Sequence, residues 1–253
     1  MGPNKAADAR EGASSMVNEE LDYTIPSRPL VCAWVLLAFL MTSIGIWSYP
    51  LNVMIVFSAV IVLWMNLYST VLHYALDAEE FTRLPVVGQS VVTFQSHHFP
   101  RWINTIHRKP VVDLLGELTA VAILNLLVPL LVFRFRYREV FVAWGTLMLA
   151  ACYATLCHRW AHQPAGVRPR IATTLQRARL ALSPPEHMRH HALATSAQAS
   201  FIPNFDVSFG WSNTLFNRVF QALPSPRLWL AVLIVSTFTQ VSGLAMFLHW
   251  LRS

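Results

Sequence analysis

Charged residues are scarce in this chain: Asp, Glu, Lys and Arg together account for 13% of its 253 residues. Soluble proteins contain about twice that fraction, so the composition argues against a soluble domain. Hydrophobic residues make up 55% of the chain, and the mean hydropathy is +0.44. A protein of 28.6 kDa has too little interior to bury that much apolar surface. We therefore expect a lipid bilayer to surround it.

Cysteine is also rare. The three cysteines, Cys32, Cys152 and Cys157, all lie in apolar stretches, and neither their number nor their spacing fits a disulfide framework or a cysteine-based zinc site. The chain has no HExxH motif, which excludes that class of zinc protease. Its net charge is +6, but no basic motif is interleaved with aromatic residues, so we expect no binding to nucleic acid.

Long apolar segments divide the chain. Residues 1–29 are polar and lack an apolar period, which is typical of a disordered tail. Residues 30–250 are expected to form an all-α membrane domain with about five transmembrane helices, because five segments approach the roughly 20 apolar residues that span the hydrocarbon. These segments are residues 30–49, 51–76, 111–133, 140–157 and 228–250. Tyr49 and Pro50 separate the first two segments and predict a tight hairpin.

Two polar loops, residues 77–110 and 158–227, contain most of the histidines. In the second loop, residues 168–183 predict an amphipathic helix on the membrane surface. Its apolar positions are Ile171, Leu175, Ala178 and Leu182. Lys and Arg are concentrated in the tail and in these two loops. The positive-inside rule then predicts that the N-terminus and both histidine loops are cytoplasmic.

Nine of the ten histidines lie at the ends of spans or in these loops, on one predicted face of the membrane. His73 and Asp77 end the second span, and His158 and His162 end the fourth, each pair at a spacing of four residues. Side chains at this spacing lie on one helix face about 6 Å apart along the axis, so two imidazoles can hold one metal ion or face two adjacent ions. The other histidines of the group are His97, His98, His107, His187, His190 and His191.

The convergence of these histidines on one face predicts a metal site. Nine imidazoles and a carboxylate exceed one coordination shell, which indicates two ions. Imidazole and carboxylate ligands suit iron, and a non-haem di-iron centre in a membrane enzyme implies O2 activation and attack on a C–H bond of a lipid chain. Desaturation or hydroxylation is the expected chemistry. A metal transporter is the remote alternative; it predicts ionisable groups through the depth of the bilayer, whereas here they stop at one face.

The motifs around these histidines match a known family. They are HYALD at residues 73–77, LPVVGQ at 84–89, SHHFP at 96–100, CHRWAH at 157–162, EHMRHH at 186–191 and GWSN at 210–213. From about residue 68 to residue 220 the chain resembles the Kua-type lipid desaturases. The resemblance implies a di-iron desaturase that uses O2, takes electrons from a carrier such as cytochrome b5 or ferredoxin, and removes two hydrogens from adjacent carbons of a lipid chain. The expected metal ligands are His73, His97, His98, His107, His158, His162, His187, His190 and His191.

The family has branches that act on different lipids. The plasmanylethanolamine desaturases convert an O-alkyl ether chain into the vinyl ether of a plasmalogen, and a plastid branch desaturates an acyl chain. His107 resembles the ether-lipid branch, whereas Thr195 and Glu186 stand where that branch often has additional histidines. The resemblance favours a plasmanylethanolamine desaturase-like activity. An acyl-lipid desaturase and a di-iron lipid hydroxylase are the alternatives.

Three carboxylates near the predicted site are candidates for catalytic support. Asp77 is either a metal ligand or the acceptor that fixes the tautomer of a histidine. Asp113 and Glu117 share a face at the start of the third span, where they either support the site or complement the helix dipole. His249 ends the fifth span on the opposite side and is expected to be an interfacial residue.

Overall fold

The structure, a computed structural model, describes residues 27–84, 91–92, 94–95, 109–132, 137–194 and 211–253. These residues form helices and the turns between them, and none of them lies in a strand, so the predicted all-α class is confirmed for this part of the chain. The α-helices are α1 (Arg28–Ser48), α2 (Leu51–Leu76), α3 (Val111–Gly116), α4 (Thr119–Val132), α5 (Tyr137–His162), α6 (Arg170–Arg177), α7 (Pro184–Ala194), α8 (Trp211–Ala222) and α9 (Pro226–Arg252). A short 3₁₀ helix, Glu79–Arg83, follows α2. Most of the predicted tail, residues 1–26, lies outside the described residues.

Among the described residues, five helical segments are long and apolar enough to cross a membrane, as the sequence predicted. They are Arg28–Ser48, Leu51–Leu76, Val111–Leu131, Arg138–His162 and Pro226–Arg252. The third contains α3 and α4, which are separated by a turn at Glu117 and Leu118. The fourth is longer than the predicted 140–157, because α5 continues without a break through both histidines at its end.

The turn predicted between the first two spans is present, but the two helices do not form a tight hairpin, since α1 packs mainly against α5 and α2 mainly against α9. Tyr49 is extended, with φ −124° and ψ 151°, as expected of a residue that precedes proline. Pro50 directly precedes α2. Arg138, at the start of α5, closes this end of the bundle, since its guanidinium donates to the Ser48 carbonyl at 2.8 Å and lies 4.8 Å from the centre of the Tyr49 ring.

A buried carboxylate, Glu139, lies at the same end of the bundle. Its Oε1 is 3.4 Å from Arg252 Nη1 and 3.6 Å from His249 Nδ1. Burial and the charge of this carboxylate raise the pKa of the Tyr49 hydroxyl. Because α5 begins beside Glu139 and ends at His162, His249 is a helix length away from the histidines of α5, on the opposite side as predicted.

Helix α5 forms the centre of the bundle. Of the 18 most apolar consecutive residues in this span, 67% are buried, against 22% in α1. Trp144 is fully buried, and its indole N–H donates to the Ala122 carbonyl of α4 at 2.8 Å. Gly145 lets α1 approach closely, since a Cβ at this position would lie 2.7 Å from the Ala38 carbonyl oxygen. The surrounding helices therefore hold α5, and the histidines at its end, in a fixed position.

Amide side chains join three spans inside the apolar bundle. Trp64 of α2 donates to Gln240 Oε1 of α9 at 2.8 Å, and Gln240 donates to Asn125 Oδ1 of α4 at 2.9 Å. Asn125 donates in turn to the Val121 carbonyl at 2.9 Å. The hydrocarbon of a membrane offers no water to such groups, so partners within the protein stabilise them and hold α2, α4 and α9 together.

The surface helix predicted at residues 168–183 is shorter in the structure, because α6 ends at Arg177. Arg179 adopts a left-handed backbone with φ 60°. The Leu180 N–H donates to the Leu175 carbonyl at 2.9 Å, and the Arg179 N–H donates to the Gln176 carbonyl at 3.2 Å. These are the two hydrogen bonds of a Schellman termination, which reverses the chain direction at the end of a helix.

The apolar positions predicted for the membrane surface lie only partly on this helix. Ala172 and Gln176 are the positions that α6 buries against the protein, whereas Ile171 is exposed, as a position facing the membrane would be. Leu182 is buried, but it lies beyond the helix, where its carbonyl accepts a hydrogen bond from Gln176 Nε2 at 3.0 Å. The periodicity placed Leu182 on the membrane-facing side, whereas the turn after α6 buries it inside the protein.

Candidate metal centre

Two helices each contribute a pair of histidines to one cluster. His158 and His162 lie in the last turns of α5, and His187 and His191 lie on α7. Within each helix the spacing of four residues puts both imidazoles on the same face. The turn around α6 brings α7 back against the end of α5, so the two pairs face each other.

The Nε2 atoms of these histidines converge. His158 and His162 are separated by 3.1 Å, His162 and His187 by 2.8 Å, and His187 and His191 by 2.8 Å, each measured between Nε2 atoms. One ligand atom from each of the four lies within 4.8 Å of the others. His162, His187 and His191 are buried, and His158 is partly buried. We call these four residues the histidine cluster.

Hydrogen bonds among the four rings cannot account for this arrangement. Each Nε2 presents either one proton or one lone pair in the plane of its ring. His162 Nε2 and His187 Nε2 each lie within hydrogen-bonding distance of two other nitrogens, so a proton on either atom can serve only one of its two contacts. A cation between the nitrogens can accept all four lone pairs.

The separations also suit a cation. Imidazole nitrogens bind zinc, for example, at about 2.1 Å, and tetrahedral ligands at that bond length lie about 3.4 Å apart. The nearest Nε2 pairs, at 2.8 to 3.1 Å, are close to this value. The histidine cluster therefore fits a metal ion, and burial keeps its ligands away from competing water.

His73 lies next to the histidine cluster. Its ring centre is 5.9 Å from that of His158, so α2 and α5 do end on the same face, as the parity of the spans predicted. His73 Nδ1 is 2.7 Å from the Ser69 carbonyl oxygen, one turn earlier in α2. A carbonyl can only accept, so Nδ1 carries the proton and Nε2 has the lone pair that a metal ion requires.

The other predicted ligands are less completely described. His97, His98 and His107 lie outside the described residues. His190 lies on α7, but its side chain is also outside the description. Five of the nine predicted ligands are thus brought together at one end of the bundle, four in the cluster and His73 beside it.

The predicted supporting carboxylates occupy different surroundings. Asp77 follows His73 by one turn at the end of α2, and both of its carboxylate oxygens are inaccessible to solvent. Asp113 forms a two-pronged ion pair with Arg28, with Arg28 Nε and Nη2 donating to its two oxygens at 2.9 and 3.0 Å. Glu117 is exposed, 3.9 Å from Lys109. Asp113 thus ties the start of α1 to α3, and its predicted catalytic support stays a prediction.

Sequence reasoning missed a pair of residues that positions α7. Ser183 donates to Glu186 Oε2 at 2.7 Å, and the Ser183 carbonyl accepts from the His187 N–H at 3.0 Å. The S-x-x-E spacing of residues 183–186 is the signature of a helix start and could have identified this contact. The carboxylate of Glu186 also complements the N-terminal dipole of the helix. Ser183 and Glu186 therefore fix the first turn of the helix that presents His187.

Five apolar helices with a histidine cluster at one end define a multi-pass membrane protein with a site suited to a metal ion. The sequence profile of the lipid desaturase domain matches residues 61–224. The chain therefore belongs to the lipid desaturase family, a family of oxidoreductase enzymes. This confirms the resemblance derived from the motifs.

One curated relative is similar over the same region. The chain is 31% identical over 160 residues to the protein named fatty acid desaturase 4, chloroplastic, from Arabidopsis thaliana. The match covers 62% of this chain and 46% of that protein, so the chain spans less than half the length of the relative. No solved structure matches the chain.

Proposed function

We propose that the protein is a membrane lipid desaturase that holds two iron ions, uses O2 as co-substrate and receives electrons from an external carrier such as cytochrome b5 or ferredoxin. The observation that carries this proposal is the convergence of four buried Nε2 atoms within a domain of the lipid desaturase family. Imidazole ligands without sulfur suit iron.

The residues divide into two proposed groups of ligands. His158, His162, His187 and His191 would hold one ion, in agreement with the separations of their Nε2 atoms. The second ion would be held by His73, His97, His98, His107 and His190, with Asp77 as a ligand or as a hydrogen-bond acceptor for one of these rings. When bound, the iron pair would supply the O2 activation that attack on an unactivated C–H bond requires.

The protein's own groups prepare this site. Hydrogen bonding to the Ser69 carbonyl fixes the tautomer of His73, and the contact between Ser183 and Glu186 fixes the start of α7. The surrounding helices bury the ligand atoms. These arrangements reduce the reorganisation that ion binding would otherwise need.

The depth of the histidine cluster limits the substrate position. The cluster lies where α2 and α5 end, at the edge of the apolar spans rather than in their middle. A lipid in the same bilayer presents at that depth its glycerol and the first carbons of its chains. We infer that the enzyme acts on a C–H pair near the head-group end of the chain.

Two substrates meet this condition, and each has an observation in its favour. An O-alkyl ether lipid, converted to a vinyl ether, is favoured by the match of His107 to the plasmanylethanolamine desaturases. An acyl lipid is favoured by the similarity to the chloroplastic fatty acid desaturase. On the basis of the match at His107, the ether lipid is our proposed substrate, and the acyl lipid is the second candidate.

The proposed orientation follows from the distribution of basic residues. The N-terminus and the histidine cluster would face the cytoplasm, because Lys and Arg are concentrated on that side. A transport role has less support. In the described spans, the buried polar side chains between Glu139 at one end and the histidines at the other carry amides or hydroxyls and no Asp, Glu, Lys, Arg or His.

Comparative lipid analysis tests the proposed function. Cells that express the protein are compared with cells that express the His158→Ala, His162→Ala double variant. Vinyl-ether lipids that depend on the intact histidines would support the ether substrate, and new double bonds in ester-linked chains would support the acyl substrate. Lipids that gain an oxygen atom would indicate a hydroxylase, and identical lipids in both strains would contradict the proposal.

A further inference from the structure

The segment that joins α5 to α7 has an exposed surface that is both basic and apolar. We call residues 163–183 the connecting segment. It contains no Asp or Glu. Val167 is 63% exposed, Ile171 59% and Leu180 46%. Its exposed arginines are Arg170, Arg177 and Arg179.

The fourth arginine of the segment has a structural role. Arg168 is partly buried, and its guanidinium donates to the Gln163 carbonyl and to Gln176 Oε1. Burial lowers the pKa of Arg168. Gln176 also donates to the Leu182 carbonyl, so these two side chains hold the segment in shape and leave the exposed arginines outside.

A hydrogen bond fixes the depth of the connecting segment. The Tyr153 hydroxyl of α5 donates to the Leu180 carbonyl at 2.9 Å. Tyr153 precedes the end of α5 at His162 by nine residues, about 14 Å along the helix axis. The same hydroxyl also interacts with the side chain of Cys157, one turn nearer the end of α5, so Leu180 lies about 8 to 14 Å back from that end.

Comparing the length of α5 with the thickness of the bilayer gives the position of Leu180 in the membrane. A helix of 26 residues is about 39 Å long, whereas the hydrocarbon is about 30 Å thick. If this excess of about 9 Å is shared equally between the two ends, about 4–5 Å projects on the histidine side, and the level of Leu180 lies inside the hydrocarbon boundary. At that depth an exposed apolar side chain such as that of Leu180 would meet lipid rather than water.

An arginine occupies the left-handed position that ends α6. Arg179 has φ 60° at the position of a Schellman termination where glycine is the usual residue. A glycine would avoid the steric cost of a Cβ in that conformation. The chain has a cationic side chain there instead, next to the exposed Leu180.

We propose that the connecting segment is an in-plane membrane anchor that binds the head groups of anionic phospholipids. Val167, Ile171 and Leu180 enter the edge of the hydrocarbon, while Arg170, Arg177 and Arg179 contact the phosphates. Because the segment joins the two histidine pairs, head-group binding holds α7 against α5. This role is independent of the substrate of the enzyme.

Spin labels test the depth. Cysteine replaces Ile171 or Leu180 in a Cys32→Ser background, whose remaining cysteines are buried, and the labelled protein is placed in phosphatidylglycerol nanodiscs. Leu36→Cys, on the exposed face of α1, is the lipid-facing control. We expect all three labels to be relaxed more by oxygen than by a water-soluble nickel complex. Labels at Ile171 and Leu180 that respond mainly to nickel would overturn the proposal and show a surface open to a protein partner in water.

Substitution of the arginines tests the head-group preference. In nanodiscs of mixed phosphatidylglycerol and phosphatidylcholine, we expect the phosphatidylglycerol retained by the protein to fall by about fivefold for each of Arg170, Arg177 and Arg179 replaced by Gln. Arg218→Gln, which removes an exposed charge outside the segment, is the matched control and should have little effect. Equal retention by the triple variant and the control would overturn head-group binding. The spin-label experiment keeps all three arginines and remains decisive if the triple variant does not fold.

Discussion

The substitution His162→Ala should remove the central ligand of the histidine cluster. His162 Nε2 is 3.1 Å from His158 Nε2 and 2.8 Å from His187 Nε2, so it contributes to both pairs. The residue is at the end of α5, where alanine is a good helix former. We therefore expect the helix to persist and the metal affinity to fall.

The magnitude follows from the number of ligands. Structural four-ligand zinc sites bind with about 10–16 kcal/mol, which is about 2.5–4 kcal/mol for each ligand if the ligands contribute equally. Each 1.4 kcal/mol corresponds to a tenfold change, so loss of one ligand should weaken binding by about 60-fold to 700-fold. Three imidazoles remain after the substitution, and three protein ligands can still hold a metal ion weakly.

Metal content after dialysis against a graded series of chelators measures this effect. Circular dichroism of the same samples checks that the helices are intact. His249→Ala is the matched control, because it removes the same side chain at the opposite end of the bundle, beside Glu139. If His162→Ala retains metal as strongly as His249→Ala does, the histidine cluster is not a metal site.

Three further predictions concern packing and helix positioning. Gly145→Val should destabilise the protein by about 1–3 kcal/mol because its side chain would clash with α1, whereas Gly243→Ala, with nothing within 4 Å of the added Cβ, should not; thermal unfolding in detergent compares the two. Gln240→Leu should destabilise the protein by about 1–3 kcal/mol and lower the midpoint of the same transition, since the partly buried Trp64 and the buried Asn125 would each lose a hydrogen bond to Gln240. An unchanged midpoint would show that these contacts are not stabilising. Ser183→Ala should weaken the start of α7 by about 1 kcal/mol and lower metal affinity by about fivefold. Ser183→Thr, which retains a hydroxyl, should restore binding, and equal affinities of the two variants would contradict a positioning role for Ser183.

The membrane spans were predictable because the thickness of the bilayer fixes how many consecutive apolar residues a spanning helix needs. The apolar pattern of the fourth span stops at Cys157, but α5 continues to His162, as the helical spacing of His158 and His162 indicated.

The histidine pairs within each helix were also predictable, because a spacing of four residues puts both side chains on one face of a helix. Which residue of the EHMRHH motif joins His162 was not predictable, since both His187 and His190 stand at plausible positions. The structure brings His187 Nε2 to 2.8 Å from His162 Nε2. That contact depends on the path of the chain around α6.

Local sequence patterns could not predict ion pairs between residues that are far apart in the chain. Asp113 pairs with Arg28, which is 85 residues earlier in the chain, and no periodicity relates the two. The partner of Glu186 could have been identified, because Ser183 precedes it at the spacing of a capping box.

The most direct test of the central claim is mass spectrometry of lipids after a single reaction of the purified protein in nanodiscs, loaded with iron and supplied with O2 and a reductant. The wild-type protein should convert the lipid to a product that lacks two hydrogen atoms, and the His187→Ala protein should leave the lipid unchanged. An unchanged lipid with the iron-loaded wild-type protein, or a product that has gained an oxygen atom, would contradict the assignment as a desaturase.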